Sequence, residues 1–355
     1  MVGRSSTERF KSSSEDIRQI AKTLGARYLI EGSVQRGETG AHITVQLIEG
    51  ATGDNVWARP IDVASTDPVA LQESVAYAIY GALAGWAGEF RKNEEELVWS
   101  KPESALDEYD YYLRGHQIFF KFTKSDMAMA RQIWETGLKK FPDSALLRIK
   151  IAVSLWQDAA WGWTETPDDN LAKGWGLMQE AVAIPNKSKL AEWYSHYILA
   201  FYQQWYRQDY DRSVAEARTA IELTPYDAFT LGDLTFAMAT AGNTEEAIEW
   251  GQKALRIDPH SPDFAVANLG FAHYLAGRHE AALDVMQKLK DSNNIYLAVV
   301  HVRLNHLAEA RAIMAAYMKA VPTDTLAVEA RLPIKDPALR ERYLNDLRKA
   351  GMPES

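Results

Sequence analysis

Few stretches of this chain hold residue types at a spacing that could do covalent chemistry. His279-Glu280-Ala281-Ala282-Leu283 starts as a zinc-hydrolase helix does, with a histidine followed by a glutamate. Such a helix needs a second histidine four positions on, one turn along the same face, and Leu283 stands there. One imidazole cannot hold zinc, so the stretch reads as a solvent-facing helix start. His273, His301 and His306 show no ligand spacing on one helix face. Gly32, Gly37 and Gly40 follow a strand-like run, but no GxxxxGK[ST] spacing leads into a helix, so no phosphate cradle is expected. Acidic groups such as Glu94–Glu96, Glu222, Glu245 and Glu246 read as solvated helix faces. With no cysteine there is no thiolate ligand, thiol nucleophile or disulfide. No catalytic residue, metal ligand or cofactor site is therefore assigned.

The aromatic residues recur with more order, and the elements that carry them explain why. Gly242-Asn-Thr-Glu-Glu-Ala247-Ile-Glu-Trp is followed 35 residues later by Gly277-Arg-His-Glu-Ala-Ala282-Leu-Asp-Val. The preceding copy, Asp209 to Pro225, stands 34 residues before Pro259. Self-similarity at this period predicts stacked helical hairpins, each burying its apolar stripe only against its neighbours. Small residues (Ser213, Ala247, Ala282, Ala310) mark where helices press together, and prolines end the units. Units three to five are regular. The first begins near Tyr109, the second spans about 144–185 with a long internal connection at 159–169, and the sixth, about 294–322, has a shortened first helix. A final amphipathic helix is expected over 337–350, closed by Gly351.

These units resemble the tetratricopeptide repeat family, whose arrays bind peptides or proteins. The resemblance implies that the first helix of each unit lines a concave surface. Aligning the units on their small residues then places Tyr202, Phe236 and Phe271 in one column, Phe229 and Phe264 in a second, and Phe120, Trp156, Trp205 and Tyr274 in a third. The groove so built is aromatic and lacks the ordered Lys and Asn set with which some family members clamp a terminal carboxylate. Two readings stay open. Either these nine residues bind a protein or peptide ligand, or they pack inside the chain, beneath its own additional elements. Trp161, Trp163 and Trp175 are expected to pack the irregular second unit.

Residues 1–98 do not repeat. A capping box at Ser13–Asp16 opens a helix with Ile17, Ile20, Ala21 and Leu24 on one face, closed by Gly25. Three strands follow as a meander: one over 27–36 with Tyr28, Ile30, Gly32 and Val34 on one face, one with Ile43, Val45 and Leu47 alternating, and one around Val56–Ala58. Asp67-Pro68 then starts a helix with Leu71, Val75, Ile79, Ala82 and Trp86 on one side. Val2-Gly-Arg, Phe10-Lys11, the run Leu24 to Val34, Gln46–Ile48, Ala51–Gly53, Val56-Trp57 and Leu71-Gln72 resemble the TolB amino-terminal-like domain. That domain precedes tetratricopeptide repeats in many bacterial proteins, large class III adenylate and guanylate cyclases among them. The family domain has a further strand and helix before the position of Val2, so this chain is expected to start inside the domain. Truncation, processing, or completion of the sheet by another chain, including a homo-oligomer, would each account for that. A cyclase catalytic domain needs metal-binding aspartates on a particular strand and turn, and no such stretch is found.

The expected fold class is mainly α: an α-solenoid of about six tetratricopeptide-like hairpins preceded by a small, incomplete α/β domain. The expected divisions are 1–98 for that domain, 99–104 for a linker, 105–325 for the repeats, and 326–355 for a C-terminal capping helix and tail. Balance and hydropathy narrow the partners. The 39 basic and 48 acidic residues give a net charge of −9, which repels a phosphate backbone and argues against nucleic acid. The longest uncharged run, 74–88, is shorter than the ~18–20 apolar residues a membrane span requires. Its Gly81-Ala-Leu-Ala-Gly85 suits close packing of a helix on its sheet. The expected role is a non-catalytic interaction or regulatory module of a cyclase-type signalling system. The alternatives are a sensor of a small apolar or peptide-like ligand, and an envelope-associated assembly factor. The chain as given is expected in the cytoplasm, or in the periplasm if the natural protein has an upstream membrane anchor.

Overall fold

The computed structural model describes residues 7, 10, 13–64, 67, 72, 73, 76, 77 and 89–355. They fall into two compact units, 1–94 and 95–355.

In the first unit, α1 (Ile17–Leu24) is capped by Asp16, whose side chain accepts from the Arg18 N–H, while Ser13 accepts from Glu15 outside the helix. The cap is thus one residue from the helix rather than at the start of a Ser13 box. Gly25 ends the helix at φ 59°, in the left-handed region that glycine enters without a Cβ clash. Strands β1 (Tyr28–Arg36), β2 (Ala41–Glu49) and β3 (Asn55–Val63) form an antiparallel sheet in the order β1-β2-β3. β3 is longer than its three apolar residues suggested, because pairing with β2 continues to Ala41–Val63 after a register shift at Leu47/Ile48. Ile43, Val45 and Leu47 are buried with Trp57. Ile30 and Val34, on the same face but on the outer strand, are each 55% exposed. Glu94 is buried, accepting from Arg27 (2.9 Å) and the Tyr28 hydroxyl (2.7 Å), so it is no solvated face residue. The expected helix face Leu71, Val75, Ile79, Ala82 and Trp86, and the Gly81–Gly85 spacing, lie outside the described residues.

The second unit is the solenoid. After α2 (Glu89–Ser100) come six hairpins: α3 (Glu108–Phe119) with α4 (Lys124–Lys140), α5 (Ala145–Ala160) with α6 (Pro167–Ala183), α7 (Lys189–Tyr202) with α8 (Tyr210–Leu223), α9 (Ala228–Thr240) with α10 (Thr244–Ile257), α11 (Asp263–Leu275) with α12 (His279–Met286), and α13 (Ile295–Arg303) with α14 (Leu307–Ala320). The chain is therefore mainly helical, with a small N-terminal sheet. A short α15 (Leu326–Glu329) and a final α16 (Pro337–Ala350) complete it.

The local causes repeat as the sequence does. α4, α6, α8, α10 and α14 each stop two residues before a proline (Pro142, Pro185, Pro225, Pro259, Pro322), because proline disfavours helical backbone in the residue preceding it. Each hairpin turns through one residue with positive φ: Phe122, Gly162, Gln208, Gly242, Gly277 and Asn305. Only half of these are glycines, so a glycine search misses the other turns. Ala130, Ala181, Ser213, Ala247, Ala282 and Ala310 are all shielded from solvent, which is the close approach their small side chains allow.

Candidate binding surface

Consecutive first helices pack on one another as well as on their own second helices. α9 and α11 are buried on nearly every side, with 11 of 13 residues each inaccessible. An α-helix at the edge of a stack would leave one side in water, so something covers their inner face.

Over α11 that cover is the chain's own C-terminal segment, which also reaches the end of α9. The Lys335 N–H donates to the Thr240 carbonyl at the end of α9 (2.9 Å), and Ile334 is buried beside it. Returning as α16, the chain buries Tyr343, Leu347 and Ala350. The Tyr343 ring meets Phe271 edge-on (5.4 Å between centroids) and Tyr274 (6.3 Å), and its hydroxyl donates to Glu329 (2.6 Å). The Tyr274 hydroxyl donates to Asp346 (2.8 Å), and Arg342 donates to the Tyr274 carbonyl (3.1 Å) while lying over the Tyr274 ring. Burial pushes the Glu329 carboxyl up to about 7, against the lowering effect of the Tyr343 hydroxyl bond.

The nine aromatic residues therefore meet different fates. Phe271 and Tyr274 are wholly buried and Phe236 is buried at 8% exposure, so these three lie in the interior rather than along an open groove. Phe236 and Phe271 stack as their shared column requires (6.1 Å, 16°), and Phe229 meets Phe264 edge-on (5.2 Å), both half-buried. Tyr202 does not join Phe236. It stacks on Trp175 instead (4.4 Å, 7°), and Trp205, 37% exposed, takes the place beside Phe236 (6.4 Å, 13°). The cause is a π-helical turn over Gln203–Arg207, which adds a residue to the helix and rotates the side chains beyond it out of α register. The third column is dispersed: Phe120 packs on His116 (4.6 Å) and Phe119, Trp156 on Tyr206 (5.5 Å), and Tyr274 under α16. Trp161 stacks on Trp163 and is 62% exposed, so it packs the second unit on one ring face only.

Sequence inspection missed Lys150. This residue of α5 is 2% exposed, and its ammonium is enclosed by the rings of Phe119 (4.4 Å), Tyr194 (4.9 Å), Trp134 (5.1 Å) and Tyr112 (5.9 Å). Burial pushes the amine down to about 7, while the four π faces favour the cation and act the other way. Tyr112, Lys150 and Tyr194 come from the three consecutive first helices α3, α5 and α7, yet the irregular length of the second unit hides their proximity in the sequence. Tyr197 of α7 donates to Asp233 of α9, whose carboxyl burial raises to about 6. Among the described residues no three His, Asp or Glu side chains stand together as metal ligands, and no helix is long and apolar enough to cross a membrane.

Over 208 residues, 59% of this chain, the sequence is 30% identical to "Putative adenylate cyclase 3" of Rhizobium meliloti (strain 1021), and the match covers 34% of that protein. This chain thus spans about a third of that relative's length. Solved structures that align include the APC/C hetero-tetramer Cut9–Hcn1 (TM-score 0.48, 16% identity, 78% of this chain and 50% of the other). A tetratricopeptide repeat protein from Parabacteroides merdae (0.42, 12%, 75% and 96%) and pilF of Pseudomonas aeruginosa (0.41, 13%, 66% and 95%) also align. Residues 198–262 match the family model of the tetratricopeptide repeat. The matched stretch runs from α7 through α10, so the family's repeat is present in the third and fourth of the six stacked hairpins.

Proposed function

We propose that the chain is a non-catalytic interaction module, the scaffold or sensory part of a bacterial cyclase-type signalling system, and that it takes a protein or peptide segment on the accessible part of its aromatic inner face. The observation that carries this reading is the division of that face. Phe271 and Tyr274 are closed off by the chain's own α16, whereas Phe229, Phe264 and Trp205 keep part of their rings in water. Half-buried aromatic rings held by neighbouring rings are suited to anchor a partner, since they lose little side-chain entropy on binding. Support for the signalling context is the identity to a protein named for adenylate cyclase. The order α1-β1-β2-β3 is in keeping with a TolB-like N-terminal unit. In this reading that unit also serves association with a second copy.

The test has two arms. Incubation with ATP or GTP and a divalent metal should yield no cyclic nucleotide, and robust turnover would refute the non-catalytic assignment. Proteins captured from the source organism on the immobilised chain should lose binding when Trp205 or Phe264 is replaced by alanine. Capture that is indifferent to both substitutions would remove the aromatic face from the proposal.

A further inference from the structure

The two edges of the N-terminal sheet differ. β3 carries Pro60, opposite Thr44, and a proline has no N–H to offer a further strand. β1 carries none. No strand lies beyond it among the described residues, and Ile30 to Arg36 are all exposed.

The phase of the ladder decides which main-chain groups face outward. The Gly37 N–H donates to the Gly40 carbonyl (2.8 Å), and the Gly50 N–H donates to the Arg27 carbonyl (2.7 Å). Hydrogen-bonded pairs alternate along an antiparallel ladder, so Leu29, Glu31, Ser33 and Gln35 bond to β2. Ile30, Gly32 and Val34 then direct their N–H and C=O groups to the outer edge. The side chains of Ile30 and Val34 stand opposite Leu47 and Ile43, on the face where β2 is buried. Two branched apolar side chains at 55% exposure, beside a backbone edge that no strand pairs among the described residues, form a surface that invites another strand.

We propose that β1 pairs antiparallel with β1 of a second copy about a two-fold axis at Gly32, joining two three-stranded sheets. This inference rests on the reading of the N-terminal unit as an association surface, and it adds the strand and its register. The strand is self-complementary in this register. Ile30 meets Val34 of the second copy on the apolar face, Glu31 meets Ser33, and the glycine keeps the axis free of side chains. The neighbouring registers are poorer. An axis at Glu31 sets two carboxylates directly opposite, and one at Ser33 sets Ile30 against Arg36.

The absence of cysteine makes the register directly readable. Glu31→Cys and Ser33→Cys proteins are prepared separately, mixed and oxidised. A 31–33 pair would be non-hydrogen-bonded, with Cα atoms about 4.5 Å apart, within reach of a disulfide. The expected result is a cross-linked species of twice 39.9 kDa in the mixture and little in either protein alone. In light scattering, the unmodified chain should approach twice 39.9 kDa as concentration rises, and Val34→Lys should hold it at 39.9 kDa with an unchanged unfolding midpoint. A chain that stays monomeric to its solubility limit overturns the inference and the association reading together. A dimer that survives Val34→Lys and gives no 31–33 cross-link overturns the inference alone. Partner capture through Trp205 and Phe264 is a separate measurement and is unaffected by either result.

Discussion

Tyr343, near the end of the chain, stands edge-on to Phe271 of the fifth repeat with ring centroids 5.4 Å apart, and neither ring touches solvent. The solenoid thus uses its own C-terminal helix as the occupant of its inner face over the later repeats. Removing the ring leaves a cavity lined by Phe271, Tyr274 and Tyr296 that rigid helices cannot close. Tyr343→Ala should lower unfolding free energy by about 3–5 kcal/mol in urea titrations, the range for loss of a large buried aromatic.

The contact between Tyr343 and α15 responds to pH. Glu329 accepts from Tyr343, and burial lifts its carboxyl from an ordinary 4.5 to about 7. Between these values the folded chain holds a proton that the unfolded chain has released. The contribution is therefore complete below the unfolded value and is lost as pH rises through about 7. Thermal unfolding midpoints should fall between pH 5 and pH 7, and Glu329→Gln should flatten that slope.

Lys150 gives the opposite slope at higher pH. Its folded amine titrates near 7 and its unfolded amine near 10.5, so between the two the unfolded chain binds the extra proton and stability rises with pH. The rise is at most about 1.4 kcal/mol per pH unit. Lys150→Met keeps the volume and removes the charge from among four rings. It should raise the midpoint at pH 7 and abolish the gain between pH 7 and pH 9.

Gly115 tests close packing against helix propensity. An alanine in a helix interior ordinarily gains about 1 kcal/mol over glycine. A Cβ at 115, however, would sit 2.1 Å from Nε1 of Trp134, which is fully buried and donates to the Tyr112 carbonyl. Overpacking of this kind costs about 1–3 kcal/mol, so Gly115→Ala should be destabilising on balance, as read by denaturant midpoint.

Accessible and interior aromatics should separate in binding. Trp205→Ala and Phe264→Ala should weaken capture of a partner by about 2 kcal/mol, roughly thirtyfold, with small changes in unfolding midpoint. Phe271→Ala should act mainly on stability, because its ring is packed between Tyr296, Tyr274 and Tyr343.

The repeat and its punctuation are legible in the order of residues. Ser213, Ala247, Ala282 and Ala310 recur because two helices can approach closely only over small side chains, and the prolines recur because they end helices locally. The pairs Phe236 with Phe271 and Phe229 with Phe264 were legible for the same reason, lying one regular repeat apart. Tertiary structure decided the rest. A single π-helical turn at Gln203–Arg207 moved Tyr202 to Trp175 and brought Trp205 to Phe236, a rotation that no periodicity records. Whether the inner face is open or filled depended on where residues 326–352 settle. That is set by contacts such as Tyr274 with Asp346, 72 residues apart, whose partners share no local pattern. Periodicity fixes which side of each helix is apolar, and only the closure of distant segments fixes what that side meets.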